Sequence, residues 1–150
     1  MKKGLLGCVS LILTLGLLAV PACKNAPTGE ITFDDLVNHP ASYNGQIVTV
    51  ECFYFSGFEI NSLAAALVPS GSSSRLTPLQ PLIWVSGLTI NLQSQLHSQS
   101  DTPSGYKEYF GKVRMTGVFN YGGKYGQLDS YIYQLRVSAA AVLLWEPSAT

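Results

Sequence analysis

Two stretches of strict alternation constrain this chain more than anything else in it. Val48, Val50, Cys52 and Tyr54 alternate with Thr49, Glu51, Phe53 and Phe55, and Val113, Met115, Gly117 and Phe119 alternate with Arg114, Thr116, Val118 and Asn120. A two-residue period sends each set to its own face of a pleated strand, so both runs predict strands with one buried side. The faces led by Val48 and by Val113 are expected to meet the core. Each run also follows a similar lead-in: Tyr43-Asn44-Gly45-Gln46-Ile47-Val48-Thr49-Val50 is echoed by Tyr109-Phe110-Gly111-Lys112-Val113-Arg114-Met115-Thr116. Two copies are too few for a solenoid, which needs at least three, but they fit two strands of one barrel.

Between and around these runs the chain predicts smaller pieces. Thr32 is placed to cap a short helix from Phe33 to about Asn38, with Asp35 as the capping-box acid, Asp34 beside it at the positive helix end, and Pro40 as the stop. Helix-start electrostatics accounts for the adjacent carboxylates of Asp34 and Asp35 without acid-base or metal chemistry. A second strand is expected across Ala64 to Val68 and a third across Leu82 to Val85, with Leu88 to Leu92 either extending the sheet or forming a short helix. The Ser-, Gly- and Pro-rich stretch from Pro69 to Pro81 and the polar stretch from Gln93 to Gly105 are expected to be loops. Tyr121 to Gly126 is expected to be a glycine-rich hairpin loop, leading into a fifth strand from Tyr131 to Val137 and a last apolar piece from Ala140 to Trp145. The expectation is a mainly β domain over residues 31–146, a small five-stranded barrel or sandwich with one short N-terminal helix, followed by a tail at 147–150.

A helix ending in Asn-x-Pro, then Tyr-x-Gly-Gln-Ile-Val-Thr-Val, a middle strand, and Gly-Lys-Val-Arg-Met-Thr-Gly-Val-Phe before a glycine-rich turn and a Tyr-rich final strand resembles the OB-fold domains of small bacterial exported lipoproteins. The resemblance covers about residues 31 to 144 and implies an OB-like Greek-key barrel. Where that family has a glycine at the end of the first strand, as Gly117 stands in the second echo, this chain has Glu51-Cys52. OB-folds serve nucleic-acid, oligosaccharide and protein binders, so the fold does not choose among them.

The first residues carry a message about compartment. Lys2 and Lys3 precede a charge-free apolar run from Leu5 to Val20, which Pro21-Ala22-Cys23 closes with small residues. The run is shorter than the roughly 20 residues that span a bilayer, and the pattern is that of a cleaved export signal over residues 1–22. Leu18-Ala19-Val20-Pro21-Ala22-Cys23 resembles a bacterial lipobox, which implies lipidation of Cys23 and membrane anchoring on the periplasmic or cell-surface side. Residues 23–30 then form a lipidated tether. The competing reading is ordinary cleavage, since Val20 and Ala22 also satisfy a small-x-small rule, and a Cys23 to Cys52 disulfide is the alternative fate of that thiol. With Cys23 lipidated, Cys52 becomes a small hydrophobe of the core.

Charge narrows the partners. Losing Lys2 and Lys3 with the leader leaves seven basic residues against nine acidic ones, a net charge of −2. Lys107, Lys112, Arg114, Lys124 and Arg136 are too few and too interleaved with acids to form the basic stripe that nucleic acids require. No cofactor or metal is expected, because His39 and His97 have no ligand-type neighbours at metal spacing. Ser70 to Ser74 lacks a Gly-x-Ser-x-Gly elbow, and Gly122, Gly123 and Gly126 do not open a helix that could cradle phosphate.

Aromatic side chains remain. By parity Phe53, Phe55 and Trp84 are expected to face away from the core, with Arg114 on the outward face of its strand and Tyr121 and Tyr125 at a loop tip. These six are the candidate ligand- or partner-binding residues. The competing structural reading is that a helix or loop covers them as a second hydrophobic cluster; Tyr131 and Tyr133 are expected to pack inside. The function expected is a non-catalytic binding or assembly module of the bacterial cell envelope with a protein or glycan partner. The alternatives are an envelope hydrolase that draws Glu51 or Glu59 towards His97, and a single-stranded nucleic-acid binder.

Overall fold

In the computed structural model, which describes residues 31–71, 74–88, 91–101 and 105–147, the capping box forms as its residues predict. The Thr32 hydroxyl accepts from the Asp35 N–H at 3.1 Å, and the Asp35 carboxylate accepts from the Thr32 hydroxyl at 2.7 Å and its N–H at 3.0 Å. These donors, the hydroxyl foremost, hold the Asp35 carboxyl below its ordinary value. The cap therefore contributes above the ordinary carboxylate range and is lost as pH falls through the lowered folded value. Helix α1 (Phe33–Asn38) buries Phe33 and Leu36. Pro40 does more than stop it: it opens a second helix, α2 (Pro40–Tyr43), where one helix was expected.

Eight strands follow: β1 (Ile47–Gly57), β2 (Ile60–Ala64), β3 (Leu67–Pro69), β4 (Leu76–Pro78), β5 (Ile83–Ser86), β6 (His97–Asp101), β7 (Tyr106–Tyr125) and β8 (Tyr131–Val142). Five of them close on themselves in the order β1-β2-β5-β8-β7, with β7 returning to pair with β1. All of these pairings are antiparallel except β5 with β8. The fold is thus mainly β, a closed sheet of five strands with two short helices. Strand β6 extends the sheet along the first part of β7, and β3 and β4 form a separate hairpin.

The alternating faces hold. Val48, Val50, Cys52 and Tyr54 are buried, as are Val113, Met115 and Phe119, together with Leu63, Ile83, Val85, Leu135 and Val137 from the other strands and Phe33 and Leu36 from α1. Burial pushes the Cys52 thiol up to about 12, so Cys52 behaves as an inert apolar side chain at neutral pH. Residues 1–30, with the expected leader, Cys23 and tether, lie outside the described residues, as do 148–150.

Several loop boundaries move. Strand β1 runs on to Gly57 and turns through Phe58 and Glu59, because Glu59 adopts a left-handed φ of 59° that no glycine in the sequence advertises. The second strand consequently lies at 60–64, not 64–68. The stretch from Pro69 to Pro81 contains β4, and the polar stretch from Gln93 to Gly105 contains β6, whose His-Ser-Gln-Ser-Asp sequence lacks the apolar alternation of a half-buried strand. Tyr121 to Tyr125 is not a loop: β7 continues through it with a register shift, and the turn comes later, at 126–130.

Candidate functional site

Parity assigned Phe53, Phe55 and Trp84 to one outward face, but the structure divides them. Phe55 is only 2% exposed; it pairs across the strands with Phe110, whose ring stacks on it at 6.3 Å, and Phe110 in turn stacks on His97 of β6. Phe53 is half-buried beneath the edge of Trp145, at 5.0 Å. Chain that follows β8 thus folds back over this face, tied by Leu143 N–H donating to the Lys112 carbonyl at 2.8 Å and by His97 Nε2 with the Trp145 carbonyl at 2.9 Å. Phe55 is therefore corrected from a candidate surface residue to a member of a second, covered aromatic cluster. Arg114 is exposed, and its guanidinium is engaged by Glu51 on the neighbouring strand.

Tyr121 and Tyr125 are strand residues, not loop-tip ones. Tyr121 stacks on Tyr133 at 5.7 Å, and the Tyr125 ring lies over the bare α-carbon of Gly123. Tyr133, half-buried against the core, donates its hydroxyl to the Val37 carbonyl at 3.3 Å. No carboxylate pair gathers round His97: among the described residues its one ion-pair partner is Glu146, at 3.9 Å, while Glu51 serves Arg114 and Lys112. No group of three or more metal-ligating side chains occurs among the described residues.

Of the six, Trp84 borders a cleft. A cavity of about 600 Å³ is lined by Tyr54, Ser56, Glu59, Ile60 and Asn61 from β1, β2 and their turn, by Trp84 of β5, and by Leu88, Asn91, Leu92 and Gln93 beyond it. Three side-chain amides and two aromatic rings give a surface of neutral hydrogen-bonding groups beside flat apolar faces. Asn61 is fixed within it: its Oδ1 accepts from the Tyr54 hydroxyl at 2.6 Å and its Nδ2 donates to the Val85 carbonyl at 2.9 Å. Burial pushes the Tyr54 phenol upward, and it stays a neutral donor.

A second cleft of about 550 Å³ adjoins the first and shares Glu59 with it. Pro81, Leu82, Gln127, Leu128, Tyr131, Ile132 and Tyr133 contribute most of its wall. The Trp84 and Tyr131 rings, 5.1 Å apart, form the partition between the two, and Gly126 approaches both so closely that a Cβ there would stand 2.7 Å from each. The turn at 126–130 can curl onto the indole because residue 126 is bare.

Searches of protein families, curated proteins and solved structures find no match to this chain. What the protein does must therefore be argued from the clefts themselves. Asn61, Asn91, Gln93 and Tyr131 escaped sequence reasoning as lining residues, since the segments that carry them are apart in sequence and meet only in the fold.

Proposed function

We propose that this protein is an exported, lipid-anchored, non-catalytic binding module of the bacterial cell envelope, built on an OB-type Greek-key barrel, and that its partner is a glycan held in the Trp84 cleft. The OB-type reading is supported by the strand order β1-β2-β5-β8-β7 closing on β1, with the third barrel strand parallel to the last. In OB-folds the face of the second and third strands, flanked by the loops that follow the first and fourth, takes oligonucleotides and oligosaccharides. The corresponding surfaces here are β2, β5, the Phe58–Glu59 turn and the 126–130 turn. Those are the surfaces that border the two clefts.

The observation that carries the choice of glycan is the composition of the lining. Amides match the donors and acceptors of sugar hydroxyls, and the half-buried Trp84 offers an apolar face against which a pyranose ring can pack. No lysine or arginine occurs among the described lining residues, so a phosphate backbone would find no counter-charge in them. Export and anchoring rest on the Lys2-Lys3 start, the apolar run and Cys23. Intact mass of the protein extracted from membranes is expected to show an N-terminal diacylated Cys23; a retained Met1 would exclude export.

Calorimetric titration with an N-acetylglucosamine hexamer tests the cleft. Trp84→Ala is expected to weaken binding about tenfold, equivalent to ~1.4 kcal/mol, while Phe53→Ala leaves it within about twofold. Equal affinity in the wild type and Trp84→Ala would remove the cleft from the proposal.

A further inference from the structure

Resting on the glycan reading, we infer that the groove selects glycans bearing free, protonated amino groups, with Glu59 as their counter-ion. Among the described lining residues of both clefts, Glu59 is the one charged side chain, and it borders both. A ligand extending from one cleft into the other meets it where the two adjoin. Its carboxylate has no ion-pair partner among the described residues, in contrast to Glu51, Glu108 and Glu146, each of which faces a cationic or ionisable base.

The backbone adds an independent reason. Glu59 holds a φ of 59° in a two-residue turn closed by the Gly57 and Ile60 pair. Glycine or asparagine would occupy that conformation with less strain, and strain retained at a cleft is characteristic of positions kept for binding. A glutamate there raises a carboxylate at the junction of the clefts, beside the Asn61 and Trp84 surfaces. Around it the walls are amide, hydroxyl, aliphatic and aromatic, so a ligand's single positive group has one destination. A hydrogen bond from an ammonium group to a carboxylate is roughly twice as strong as a neutral one; exposure of Glu59 to solvent reduces the gain.

The test compares a fully deacetylated glucosamine hexamer with its N-acetylated counterpart on the full chain, at about pH 5.5, above the ordinary carboxylate range and low enough for the sugar amines to be protonated. The wild type is expected to bind the aminated hexamer about fivefold more tightly, and added salt to erase the difference. In Glu59→Gln the ratio is expected to fall to near one, with a wild-type circular dichroism spectrum and midpoint temperature reporting an intact fold. Equal affinities in the wild type, or a preference that survives Glu59→Gln, would overturn the selectivity and leave the glycan reading standing. Binding of neither hexamer would overturn both.

Discussion

Glu108→Ala is expected to lower stability by about 2–3 kcal/mol, the upper part of the range for losing hydrogen bonds to a charged group, because its Arg75 partner is itself 28% exposed. Glu108 is 5% exposed, yet it is fully engaged. Its Oε1 accepts from Arg75 Nη2 at 2.6 Å, and its Oε2 accepts from Arg75 Nε at 3.0 Å and from Gln99 Nε2 at 2.8 Å. The same Gln99 amide brackets β4, accepting from the Leu76 N–H at 3.0 Å and donating to the Leu76 carbonyl at 2.6 Å. One carboxylate therefore ties the β3–β4 hairpin to the main sheet through two partners. Truncating it removes two acceptor oxygens from the Arg75 guanidinium and one from the Gln99 amide. Chemical denaturation read by circular dichroism measures the loss. The double change Arg75→Met with Glu108→Leu is expected to recover most of it, because a packed apolar pair avoids the desolvation that a buried ion pair suffers. A loss under 1 kcal/mol for Glu108→Ala would mean that the hairpin is held by something else.

Gly117→Ala is the second large effect, about 3 kcal/mol, a drop in midpoint temperature of roughly 10 °C for a domain of this size. A Cβ at residue 117 would stand 2.3 Å from the Arg136 carbonyl oxygen and 2.9 Å from Val137 Cα, both backbone atoms that cannot swing aside. The position coincides with the register shift between Thr116 and Gly117, where β8 carries the extra residue Ser138. Relief requires β7 and β8, which pair at ten positions, to separate locally. Thr116→Ala is the neighbouring control: it removes an exposed 2.8 Å contact with the Thr49 hydroxyl and is expected to cost under about 1 kcal/mol. Thermal unfolding of the two variants side by side distinguishes a backbone clash from a general intolerance of this strand.

Much of the scaffold was legible because its signals are local. The Thr32 and Asp35 cap, the start of β1 after Asn44-Gly45, and the inward faces of β1 and β7 follow from capping chemistry, turn chemistry and a period of two. What parity could not show was the second layer. It placed Phe55 outward correctly with respect to the barrel, but the outward side at that point is covered by the Phe110 and His97 rings and the returning Trp145. Strand β6 escaped because a polar edge strand carries no hydrophobic alternation, and the Phe58–Glu59 turn because its left-handed residue is a glutamate. The clefts were less legible still. Tyr54, Asn61, Trp84 and Tyr131 come from four strands, and the β1–β2, β2–β5 and β5–β8 pairings make them neighbours.

Whether the Trp84 face carries the binding is most directly tested by amide chemical-shift mapping of the labelled protein during titration with the N-acetylglucosamine hexamer. The glycan reading predicts saturable shifts concentrated at residues 54–61, 80–93 and 127–133. Shifts centred instead on Phe53, Arg114 and Trp145, or none at concentrations that saturate a millimolar site, would contradict it.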